Sequence, residues 1–91
     1  MELERKKILY IDDEVDLCTL MRNYLRRKNY EVFIAHTAED AIQCLNQVTP
    51  DIIFLSNELK GAAQVIKYAA IKAPNAKFFK AILMYTNKKV I

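Results

Sequence analysis

Three places in this 91-residue chain gather side chains able to do chemistry, and each sits directly behind an apolar run. Asp12, Asp13 and Glu14 follow Ile8, Leu9, Tyr10 and Ile11. Ser56, Asn57 and Glu58 follow residues 51–55, DIIFL, and His36 and Thr37 follow YEVFIA. Two adjacent carboxylates at the end of a buried strand suit a hard cation such as Mg²⁺, which prefers oxygen ligands. The plainer reading is that Asp13 caps the following helix and Asp12 is solvated. His36 could titrate near neutrality or bind metal. With no second His or nearby Cys it reads as an ordinary loop histidine. Ser56 lacks a Gly-x-Ser-x-Gly setting and the single His has no evident orienting partner, which argues against serine-hydrolase chemistry.

These groups need a scaffold, and the runs between them supply it. Residues 8–11 are apolar without alternation, the pattern of a strand buried on both faces of a parallel sheet. Residues 15–28 form a first helix, with Leu17, Met21, Tyr24 and Leu25 at helical spacing and Leu20 beside them. Acidic residues crowd its start, basic ones its end, and Asn29 ends it in a left-handed turn. Arg22, Arg26, Arg27 and Lys28 lie mostly off the stripe and read as a solvated face rather than a phosphate-binding patch. Residues 30–35 are a second strand. Thr37 caps a helix buried through Ala38, Ala41, Ile42 and Leu45. After Thr49-Pro50 comes a third strand, 51–55. Gly61 then turns into a helix over 62–73, with Val65, Ile66, Ala69 and Ala70 as its apolar side. Residues 76–91 fit a strand, over 77–82 or 81–85, or a helix with Phe78, Phe79, Ile82 and Tyr85 facing inward. Alternation favours the strand.

Bulk composition narrows the function. The chain is 53% hydrophobic and is expected to form one domain over residues 1–91. A net charge of +3, from 14 basic and 11 acidic residues, gives no strong argument for nucleic acid. Cys18 and Cys44 fall within helices as small apolar groups. Two cysteines and a charged N-terminus without an apolar core fit a reduced, cytoplasmic protein, and no run is long enough for a membrane span.

KKILYIDDEVDL, then a helix, YEVFIAHTAEDAI and PDIIFL with its following loop resemble the receiver domain of bacterial two-component response regulators, over about residues 6–75. The resemblance implies an α/β fold, a doubly wound, flavodoxin-like parallel sheet of strand order 2-1-3-4. It implies phosphorelay signal transduction with a histidine kinase as partner, and no enzyme activity of its own. Carried over by position, Asp13 is the direct metal ligand, Asp12 acts through water, and the backbone carbonyl of Glu58 is the main-chain ligand.

The departures are as informative. The family's phospho-acceptor aspartate falls on Ser56. A serine hydroxyl is neutral and needs a base to become a nucleophile, and it cannot form an acyl phosphate. Losing that carboxylate also weakens the Mg²⁺ site. Asp51 is no substitute, because it lies at the opposite end of a strand rising about 3.3 Å per residue. Lys60 stands where the family usually has Pro. Thr86 is the candidate for the family's switch residue, although a strand aligned on residues 77–79 puts Ile82 there. The family's last βα unit, with its pocket Lys, has no counterpart in these residues. The expectation is a phosphorylation-independent interaction module, a pseudo-receiver, set against an active Mg²⁺-dependent acceptor and, more remotely, a basic-patch binding protein. An uncovered strand-four edge further suggests a homo-oligomer.

Overall fold

The computed structural model describes residues 4–80. Its elements are β1 (Lys7–Ile11), α1 (Val15–Arg27), β2 (Glu31–Ala35), α2 (Ala38–Gln47), β3 (Ile52–Leu55), α3 (Ala62–Lys72) and β4 (Lys77–Lys80). The four strands form one parallel sheet in the order β2-β1-β3-β4. β1 therefore lies inside the sheet, and Ile8, Leu9, Tyr10 and Ile11 are all 0–1% exposed.

Alternation along the strands divides the core into two layers. Leu9, Ile11, Ala35, Ile53 and Leu55 point to one face, against Ala41 and Leu45 of α2 and Val65 and Ala69 of α3. Ile8 and Val32 point to the other, with Leu25 of α1. Tyr10 meets Cys18 on that same face, with Met21, Ile34 and Phe54 around them. The Tyr10 hydroxyl has no hydrogen-bond partner among the described residues. Burial beside Asp12 pushes its proton affinity well above the ordinary tyrosine range.

Two helix faces differ from the sequence reading. Leu20 and Tyr24 are exposed, and Cys18 with Leu25 holds the buried line of α1 instead. Ile66 and Ala70 are exposed on α3, where Val65 and Ala69 alone are buried. A single i, i+4 row is enough when the helix rests on a flat sheet, and the small Ala69 side chain permits a close approach.

The ends of the elements behave as the residue types require. Asn29 takes a left-handed φ of 72° after α1. Thr37 Oγ1 accepts the Asp40 N–H at 3.0 Å, the N-cap bond of α2. Gly61 has φ 82°, and a Cβ there would lie 3.0 Å from the Ala38 Cβ, so both backbone and space demand glycine. Residues 77–80 are a strand, which settles that part of the ambiguous segment in favour of the alternation. Phe79 stacks on Phe54 with ring centroids 5.6 Å apart. Thr86, Ile82 and Tyr85 lie outside the described residues.

Candidate functional site

β1 and β3 are neighbours in register, and Ile11 pairs with Leu55 as the last rung. The next residue of each strand, Asp12 and Ser56, therefore emerges at the same rim. The Ser56 N–H donates to the Ile11 carbonyl at 2.9 Å, which ties the two strand ends together. This is the carboxyl end of a parallel sheet, the edge where open α/β proteins place ligands. Asp12 and Ser56 are each 0% exposed, the two buried polar residues of the described chain.

Asp12 is held from several sides. Its N–H donates to Ala35 O of β2 at 3.0 Å. Its Oδ1 accepts the Glu14 N–H at 2.9 Å. Its backbone carbonyl accepts from the Cys18 thiol at 3.3 Å and pairs with His36 Nδ1 at 3.1 Å. A carbonyl can only accept, so Nδ1 carries a proton in this contact. The plainer reading of the acidic pair is thus overturned in both parts. Asp12 is buried rather than solvated, and the turn into α1 is bonded by Asp12, not by Asp13. Asp13 is exposed beside it. The cap position falls on Glu14, which makes no side-chain cap bond.

Ser56 Oγ accepts the Glu58 N–H at 3.3 Å, a local turn closed by the hydroxyl. The side chain of Glu58 is exposed two residues beyond. Asp51, at the far end of β3, accepts the Lys7 N–H on its Oδ2 at 2.8 Å and is remote from this rim, as its position required. No group of three or more His, Cys, Asp or Glu side chains suited to a metal ion occurs among the described residues. A cleft of about 500 Å³ opens next to Asp13, between the start of α2 at His36–Glu39 and Leu59–Lys60.

Cys18 and His36 are the residues that reading the sequence undervalued. Neither neighbours Asp12 in the chain. The signal lay in the register: Ile11 pairs with Ala35, so the residue after Ala35 must lie beside the residue after Ile11. Burial, with the Asp12 carboxylate adding to it, pushes the Cys18 thiol up to about 11. In the unfolded chain the thiol ionises near its ordinary value of 9. The folded state thus holds this proton more tightly, and the associated stability is complete below about pH 9 and declines as pH rises towards 11. Urea unfolding at pH 8 and pH 10.5 should show a larger loss for the native chain than for Cys18→Ala.

Fold and rim together define a class of protein. The chain has the fold of receiver domains and is similar to response regulators of two-component systems in sequence and structure. No family model matches it. It is 37% identical over 57 residues to the regulatory protein VanR of Enterococcus faecium, covering 63% of this chain and 25% of that relative. Among solved structures it is similar to the response regulator TrrA of Thermotoga maritima, solved in complex with Mg²⁺ and BeF. There the identity is 28% and the TM-score 0.70, covering 80% of this chain and 65% of that one. The CheY-like receiver domain of Methanospirillum hungatei JF-1 shares the fold at TM-score 0.79 and 22% identity, covering 85% and 63% of the two chains. The match thus spans about a quarter of VanR's length.

Proposed function

We propose that this chain is a pseudo-receiver, a receiver-type domain that signals by docking to two-component proteins such as a histidine kinase, without accepting a phosphoryl group. One observation carries the reading: Ser56, fully buried, follows β3 at the rim where Asp12 follows β1. This is the place at which the resemblance to the family calls for the acceptor aspartate. Phosphoryl transfer to a carboxylate needs an anion that attacks phosphorus and shares its charge with the metal. The Ser56 hydroxyl is neutral, and its hydrogen bond among the described residues comes from a backbone N–H rather than from a base.

The Asp12 and Asp13 carboxylates and nearby main-chain carbonyls are hard oxygen donors, which fits Mg²⁺. With two carboxylates instead of three the affinity is low. A bound Mg²⁺ would neutralise the acidic pair. Asp12 would hold its position through its own hydrogen bonds in either case. TrrA was solved with Mg²⁺ and BeF, which makes beryllofluoride a direct probe of this rim. Fluorine NMR of the chain with beryllofluoride and excess Mg²⁺ should show free fluoride species only. A saturable bound signal in the unaltered chain would overturn the reading.

A further inference from the structure

α1 buries one line of side chains through Cys18 and Leu25. Its opposite side carries a second ordered row. Asp16, Leu20, Asn23, Tyr24 and Arg27 recur at helical spacing, which sets them along one outward face. All five are exposed, Leu20 at 61% and Tyr24 at 46%. Two large apolar side chains thus stand in water in the middle of the row, with an acid at one end and a base at the other. Neither Asp16 nor Arg27 makes a side-chain hydrogen bond or ion pair among the described residues. A shallow recess of about 410 Å³ opens beside Asp16, lined also by Leu17 and Leu20. The helix as a whole has the same order of charge. Glu14 and Asp16 stand at its start, and Arg26, Arg27 and Lys28 at its end.

We infer that this face of α1 pairs with the same face of a second copy of the chain, the two helices running antiparallel about a twofold axis. Reversed end to end, the row is its own complement. With Asp16 opposite the partner's Arg27, Leu20 falls opposite the partner's Asn23 and the partner's Tyr24, and the symmetry repeats each contact. The row spans about 16 Å at 1.5 Å per residue, so an ion pair closes each end while apolar side chains meet between them. Leu17 and Leu20, in the recess beside Asp16, give the stem of the partner's Arg27 an apolar wall.

Charge order selects both the direction and the register. A parallel pair would set like charges together at both ends. Sliding the antiparallel pair by one turn either way breaks the match of Asp16 with the partner's Arg27. A helix from another protein would need this order of charge in reverse, whereas a second copy has it by symmetry. One helix face per subunit is less than the roughly 800 Å² that each partner buries in a standard interface, so the dimer is weak and depends on concentration. This inference does not depend on the chemistry of Ser56.

The test is sedimentation equilibrium of the full chain at up to about 1 mM, the range a small interface requires. The unaltered chain should show a monomer–dimer equilibrium. Asp16→Arg and Arg27→Asp, both at exposed positions, should leave far-UV circular dichroism unchanged. Either change alone turns both end pairs from attraction to repulsion, so association should weaken about tenfold or more. An equimolar mixture of the two variants should dimerise about as well as the unaltered chain. One copy is then basic at both ends of the row and the other acidic at both. Leu20→Ser should weaken association without restoring it in any mixture. A readout without variants is the amide NMR spectrum on dilution, in which shifts should move along residues 16–27. A monomer at every concentration would overturn the inference and leave this face to a different protein. So would a dimer indifferent to either charge reversal, a mixture that stays apart, or dilution shifts that spare α1.

Discussion

Ser56→Asp is expected to raise Mg²⁺ affinity by about tenfold or more, read by isothermal titration at low ionic strength. A third carboxylate would enter a rim that already holds Asp12, buried at 0% exposure, and Asp13. Even at an effective dielectric near 20, a unit charge about 4 Å from a cation is worth several kcal/mol before desolvation is subtracted. A net gain of only about 1.4 kcal/mol is already tenfold. The same substitution should destabilise the metal-free fold. Carboxylates crowded at one buried rim disfavour each other's ionised forms, so their proton affinities rise on folding. The loss is therefore small at low pH and grows as pH climbs through the carboxylate range, with Mg²⁺ restoring stability. An unchanged affinity would mean that the side chain at position 56 does not reach the cation. In that case the likeness to the family's acceptor position would be one of backbone alone.

The second large effect concerns the core. Ile53→Ala should cost about 2–5 kcal/mol in urea unfolding. Ile53 is 0% exposed on β3, with β1 on one side and β4 on the other. A domain's whole stability is only about 5–15 kcal/mol, so this variant should unfold at much lower urea. Ile66→Ala is the matching control. Ile66 is 42% exposed on α3, and its loss should stay within about 0.5 kcal/mol. The pair distinguishes the observed face of α3 from the one that hydropathy suggested. Equal losses would place Ile66 in the core after all.

These contrasts show where the sequence was readable. The unbroken apolar run of β1 announces a strand covered on both faces, and Ile8 to Ile11 are buried accordingly. Thr37, Asn29 and Gly61 declare element ends because cap bonds and left-handed backbone restrict the residue type locally. The helix faces were less legible. Leu20, Tyr24 and Ile66 sit within helical apolar patterns, but the pattern does not say how wide a stripe the sheet will cover. The rim was legible in position and not in detail. Asp12 and Asp13 are equivalent as letters, and only the direction in which each leaves the strand end makes one buried and the other exposed. The bonds from Cys18 and His36 to the Asp12 carbonyl join residues 6 and 24 positions apart. They become visible once the strand register is known.

The proposed docking would find a place that needs no phosphoryl chemistry in the cleft beside Asp13. It lies at the same rim as Asp12 and is bordered by His36, Glu39 and Lys60, so a partner would meet both signs of charge there. Such surfaces guide approach and fix register more than they add raw affinity.

The most direct measurement is incubation of the unaltered chain with acetyl phosphate and Mg²⁺, followed by intact mass under acid-avoiding conditions and hydroxylamine treatment. The prediction is an unchanged mass. Any phosphoryl adduct on the unaltered chain would contradict it, and its response to hydroxylamine would separate an acyl phosphate, which is cleaved, from a serine ester, which is not.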